Sequence, residues 1–289
     1  AGYAGGMRTM IYDLLFSPFI DHAFMRRALV ACIALSVSAA PLGVFMVLRR
    51  MALVGDAMQH AILPGVAVAY LMVGMSLWPM TIGGLIAGVL VASLAGVVTR
   101  ITPLKEDASF TGIYLIAIAL GVVLISLKGD GHELEHILFG DINTMTNEAL
   151  MLILYAVSIS TLLFALIYRP LVIECFDPNF LRSVRGSGGI IYQLFLVMVV
   201  MNLVAAFHAT GTLMALGIMV LPAVSARLWS NNIEHMIFYS VGFSMIASIF
   251  GLLFSFHFHM PSGATIVLVG GMIYITSLLV GKSNGLLLK

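Results

Sequence analysis

Gly55-Asp56-Ala57-Met58-Gln59-His60-Ala61-Ile62-Leu63-Pro64-Gly65 lies inside a long apolar run and sets an Asp and a His four residues apart. Successive helix residues turn by about 100°, so Asp56 and His60 share one helix face. A carboxylate and an imidazole in that relation can hold one divalent transition metal ion. Both groups are costly at membrane depth, where ionisable side chains mark functional sites. Pro64-Gly65 follows at once and predicts a bend, which frees backbone carbonyls as further oxygen ligands. The bland reading makes Asp56 a helix cap behind Gly55 and His60 a hydrogen-bonded residue in a polar gap. An unpaired carboxylate in hydrocarbon costs several kcal/mol, and that weighs toward a metal path across a bilayer.

The surrounding chain fits a bilayer. Of its 289 residues, 61% are hydrophobic and 9% charged, against roughly 25% charged in a soluble domain. Apolar stretches run at Ala28–Leu48, Ala52–Val73, Met80–Val98, Phe110–Leu127, Ala149–Ile167, Ile190–Phe207, Thr212–Leu228, Met236–Phe256 and Ala264–Val280. Several approach the roughly 20 residues that a crossing helix needs. The expected fold is all-α: a polytopic membrane helix bundle of eight or nine transmembrane segments. One or more of these is broken or re-entrant, with Pro64-Gly65 and Pro222 as the interruptions. Residues 1–22 read as an N-terminal segment whose small start, Ala1–Gly6, resembles an added remnant before a native Met7 or Met10. Residues 23–281 read as the transmembrane unit and 282–289 as a cytoplasmic tail. Net charge is +1, and no basic stripe interleaves with aromatics, so nucleic-acid binding is set aside. Cys32 and Cys175 are too far apart in sequence to suggest a disulfide framework or a CxxC motif.

Lys and Arg collect on the cytoplasmic side of a membrane protein. Arg49 and Arg50, Arg100 and Lys105, Arg169, Arg182 and Arg185, Arg227 and Lys282 mark that side, while Gly129–Glu148 carries five acids and no Lys or Arg. Alternation then holds from the second stretch onward and puts the C-terminus inside. It fails at the start, where Arg26 and Arg27 fall outside if Ala28–Leu48 crosses as a simple helix. Either the early segment is irregular or a later stretch does not span. Gly84 and Gly88 form a GxxxG that reads as helix packing. The polar interruption from Glu174 to Gly186 reads as a surface loop or as a short helix started by Asp177-Pro178 and ended by Gly186. Such a helix would dock a soluble motor, through Asp177, Pro178, Phe180, Arg182 and Arg185.

His132-Glu133-Leu134-Glu135-His136 matches HExxH, in which two histidines bind zinc and the glutamate is the base. It makes an intramembrane zinc metalloprotease the main alternative, although the motif follows a turn-rich charged loop instead of lying on an apolar helix. His208, His257 and His259 lie near ends of apolar stretches on the outer side. They read as a second metal stop or gate, or as part of an interfacial aromatic belt. The methionines are scattered and read as packing. Gly281-Lys282-Ser283 ends like a P-loop but lacks its first glycine, since position 276 is Thr. An ATP-driven transporter would therefore need its ATPase on another polypeptide, while a stand-alone channel or carrier would need none.

Arg49 to Gly65 closely resembles the signature of membrane permeases in bacterial ABC importers for manganese and zinc. Lys105-Glu106-Asp107, His136-Ile137-Leu138-Phe139-Gly140-Asp141, Gly211 to Arg227 with Leu221-Pro222-Ala223, and Pro261-Ser262-Gly263-Ala264 are similar to the same family, in its order. The resemblance implies a non-enzymatic, multi-pass subunit of the bacterial plasma (inner) membrane. Its partners would be a second permease subunit, identical or closely related, two cytoplasmic ATPase subunits docked on Asp177–Gly186, and an extracytoplasmic metal-binding protein. It assigns Asp56 and His60 to the path of transported Mn2+ or Zn2+, with no permanently bound cofactor, and leaves the HExxH accidental. His259 stands where the family usually has Asp, and His208 where relatives often have Gln.

Overall fold

The computed structural model describes residues 17–74, 76–103, 106–126, 145–177, 188–210 and 212–283, and every regular element among them is helical. In chain order these are α1 (Ser17–Asp21), α2 (Ala23–Leu48), α3 (Ala52–Ala61), α4 (Leu63–Val73), α5 (Leu77–Ile101) and α6 (Glu106–Ser126). They continue as α7 (Asn147–Phe176), α8 (Gly188–Thr210), α9 (Thr212–Trp229), α10 (Ile233–Phe258) and α11 (Ser262–Val280). Eight helical units among the described residues are long and apolar enough to cross a bilayer, α3 and α4 together counting as one, and Met214–Trp229 is a shorter apolar helix. This is the expected polytopic bundle with a broken crossing at Pro64. Pro222, expected to interrupt a second stretch, instead lies inside the continuous α9, since a proline removes only one internal hydrogen bond.

The broken crossing is Ala52–Val73. Pro64 has no N–H to return to the His60 carbonyl, and the helix interrupts at Ile62 before resuming as α4. Glycines let neighbouring helices close on this point. A Cβ on Gly65 would strike the Gly83 carbonyl of α5, and one on Gly83 would strike the Gly65 carbonyl. A Cβ on Gly84 would lie 2.6 Å from Ile62 Cγ2, and one on Gly88 2.5 Å from Val200 Cγ1 of α8. The GxxxG is therefore spent on packing inside the chain.

Two ends of the bundle are defined by contacts. At one, Arg49 lies over the Tyr192 ring and the Ser283 N–H donates to the Leu228 carbonyl, gathering the ends of α2, α9 and α11 with the start of α8. At the other, Arg27 donates to Asn147 Oδ1 at 3.0 Å and His22 meets Phe256 edge-on, gathering the starts of α2 and α7 with the end of α10. Helix α2 runs unbroken between them, with Pro41 inside it. The early segment is thus regular, and Arg26 and Arg27 sit at the end opposite Arg49. The charge bias is a tendency, and Asn147 gives one of the two arginines an acceptor there.

Helices α2 and α8 form the centre of the bundle, with Leu35, Leu42, Phe45, Phe195, Leu196 and Val199 fully or almost fully buried. Lipid is as apolar as these side chains, so close packing and interhelical hydrogen bonds hold the helices together. Serines provide such bonds. Ser244 of α10 donates to Ser36 of α2 at 2.8 Å, and Ser240 donates to the Ala40 carbonyl at 3.2 Å.

Candidate metal site

Helix α3 starts directly after the Arg49–Arg50 turn. Arg50 there takes the left-handed φ of 60°, and the Met51 N–H returns to the Met46 carbonyl at 2.8 Å. The turn aims α3 back alongside α2. Asp56 lies in the second turn of a helix that begins at Ala52, so it is not a cap and its carboxylate is free of that duty. Its Oδ1 stands 3.8 Å from His60 Nε2, with the Asp56 side chain 50% and the His60 side chain 37% exposed. Gly55 brings the adjoining, inward face of α3 near its neighbours: a Cβ there would lie 2.7 Å from Leu216 Cδ1 of α9 and 3.0 Å from Met46 Cε of α2. Gln59 is buried beside the pair and donates to Asp56 Oδ1 at 3.5 Å.

The pair can therefore offer one carboxylate oxygen and one imidazole nitrogen to a single cation. Among the described residues no group of three or more His, Cys, Asp or Glu comes together. Leu53, one turn before Asp56, is 75% exposed, so the stripe that carries the pair is open along the chain's own surface.

His257, His259 and Asp177 do not join this pair. His208 lies in the last turn of α8. His257 and His259 are exposed at the end of α10. His257 Nδ1 lies 2.9 Å from the Leu253 carbonyl oxygen, and its ring meets Phe256 edge-on. His259 ends α10 with a left-handed φ of 53°, a conformation that His adopts more readily than most residues. Asp177 follows the last residue of α7, and its N–H donates to the Ile173 carbonyl at 2.8 Å. Pro178, Phe180, Arg182, Arg185 and the His132–His136 motif lie outside the described residues. Sequence reasoning missed Gln59, whose only signal was an amide in an apolar run, and Tyr192 as the partner of Arg49.

A bundle of membrane-crossing helices, one of them broken beside a carboxylate–imidazole pair, is the architecture of a membrane transport permease. The chain belongs to the ABC 3 transport family, which it matches over residues 21–281. It is 32% identical over 275 residues to the manganese transport system membrane protein MntC of Halalkalibacterium halodurans, covering 95% of this chain and 93% of that one. It is 28% identical to the chelated iron transport system membrane protein YfeD of Yersinia pestis, covering 94% and 90%. The solved structure of PsaBC from Streptococcus pneumoniae in complex with Fab superposes with a TM-score of 0.78 at 27% identity, covering 93% of this chain and 96% of that one. The chain is accordingly a multi-pass permease subunit of an ABC importer in the bacterial plasma membrane, and ATP hydrolysis falls to a separate subunit. The family match does not favour the protease reading of residues 132–136.

Proposed function

We propose that this permease carries a divalent first-row transition metal ion into the cytoplasm by alternating access, with Asp56 and His60 as the ion's stop within the membrane. The observation that carries this reading is their geometry: 3.8 Å apart and partly exposed on one face of a broken crossing helix. A carboxylate on such a face is intolerable against lipid and useful only against an ion, water or another protein surface. Carboxylate with imidazole suits manganese and zinc alike. The name of the manganese relative puts Mn2+ first, and the name of the iron relative keeps the class broad.

One carboxylate and one imidazole do not complete a coordination shell of four or more ligands. A second permease copy facing the first would double the pair and cancel the charge of a 2+ ion with two carboxylates. Cytoplasmic ATPase subunits then dock beside Asp177, Pro178, Phe180, Arg182 and Arg185, between α7 and α8. An extracytoplasmic metal-binding protein delivers the ion to the opposite end, where His208, His257 and His259 lie. In cells that depend on this importer, Asp56→Ala and His60→Ala are each expected to lower metal accumulation by about tenfold or more while leaving the membrane-inserted protein at its normal level. Unchanged accumulation of manganese and zinc in both variants would remove the pair from the path.

A further inference from the structure

Gln59 is only 7% exposed, although it sits next to His60 on the helix that carries the ion pair. Its amide nitrogen donates to Asp56 Oδ1 at 3.5 Å, and His60 Nε2 lies 3.8 Å from the same oxygen. The amide oxygen is fully buried and meets no hydrogen-bond donor. A buried amide oxygen without a donor is a standing cost, and native structures retain one where it serves a purpose.

Turning the Gln59 amide over about its last bond exchanges nitrogen and oxygen and leaves the rest of the side chain in place. The oxygen then stands where the nitrogen was, 3.5 Å from Asp56 Oδ1. Ligand atoms that share one ion at roughly 2.0–2.2 Å are themselves roughly 3–3.5 Å apart. The spacings of 3.5 Å and 3.8 Å around Asp56 Oδ1 need little contraction to meet that requirement. Without an ion, the amide N–H is the right group to face a carboxylate. With a cation present it is the wrong one, and the oxygen is the right one.

We propose that Gln59 is a third ion ligand from the same chain, turning its amide over to give the oxygen to the incoming metal. The proposal rests on the importer reading and deepens it. A neutral oxygen added to a carboxylate and an imidazole makes the site harder, which favours manganese relative to zinc.

The test is equilibrium binding of Mn2+ and of Zn2+, measured separately on the purified permease–ATPase complex. Gln59→Leu removes the oxygen at nearly constant volume. It is expected to weaken Mn2+ binding by about tenfold or more, the usual cost of losing a group that tunes a metal site, and Zn2+ binding by clearly less. Gln59→Glu keeps an oxygen in place and is expected to retain the preference for Mn2+. Equal losses for the two ions in Gln59→Leu would reduce Gln59 to a residue that orients Asp56 and would overturn the proposal, as would no loss at all. If Gln59→Leu does not assemble with the ATPase, Gln59→Met is judged by the same criteria. Asp56→Ala tests the underlying site in the same assay: wild-type binding of both ions by that variant sinks the importer site itself, whatever Gln59 does.

Discussion

Arg49 holds its guanidinium carbon 4.5 Å from the centre of the Tyr192 ring, and that ring is 5% exposed. The contact joins the turn that launches α3 to the first turns of α8. Backbone bonds stiffen the turn, with Arg49 N–H on the Phe45 carbonyl at 3.0 Å and Arg50 N–H on the Val47 carbonyl at 3.1 Å. Gly96 of α5 lies at the ring edge, where an added Cβ would make an ordinary contact at 3.8 Å from Tyr192 Cε1. A partly desolvated cation–π contact contributes about 1–2 kcal/mol. Tyr192→Leu is therefore expected to destabilise the purified permease by about that amount in thermal unfolding, while Tyr192→Phe keeps the ring and most of the stability. Equal losses in the two variants would assign the effect to the hydroxyl. Asp56 and His60 were legible in the sequence because an ionisable group inside an apolar run is expensive and its spacing sets its face. Gln59 and Tyr192 were not, because burial and partner depend on which helices cover them, and periodicity within one segment does not encode that.

Helices α4 and α5 pack closely just past the interruption at Ile62, because each presents only hydrogen atoms where the two touch. Gly65 and Gly83 meet backbone to backbone, so neither site has a flexible side chain that could yield to an added methyl. Overpacking of this kind costs about 1–3 kcal/mol. Gly83→Ala is expected to lower the thermal unfolding midpoint and metal uptake together. Gly112→Ala, in α6 with nothing within 4 Å of its added methyl, is expected to leave the midpoint unchanged or raise it slightly. A neutral Gly83→Ala would mean that α4 and α5 do not depend on that close approach. At this scale the apolar runs told most of the story, and the break fell where Pro64 lacks a donor. Hydropathy stopped α7 at Ile167, whereas the helix runs on through Arg169 and Pro170 to Phe176. Polarity ends an apolar run but not a helix, and a proline removes only one internal hydrogen bond. The GxxxG showed that helices approach closely, but which helix approaches had to come from the three-dimensional packing.

Taken whole, the chain has a flank that lipid cannot satisfy. The outward faces of α5 and α6 carry Ile82, Ile86, Leu90, Leu115, Ile116 and Leu120, all at least half exposed and all at home in hydrocarbon. The α3 flank differs, because Leu53 at 75% exposure leads directly to a partly exposed carboxylate and imidazole. A twofold axis beside this stripe would set two Asp56 and two His60 side chains face to face, and a symmetric pair of subunits presents the same patch from each side. Two carboxylates and two imidazoles, with the Gln59 amides beside them, would then surround one divalent ion, which neither copy could hold as well alone. Leu53 would lie close to its counterpart, one helical turn from the site. In a Cys175→Ser background, where Cys32 is buried, Leu53→Cys is expected to link two copies through a short bis-maleimide in membranes. Phe238→Cys, 76% exposed on α10, should stay monomeric under the same treatment. Linked dimers from Phe238→Cys and none from Leu53→Cys would move the contact to α10. The Asp56–His60 stripe would then face a water-filled cavity within one subunit and not a second copy of itself.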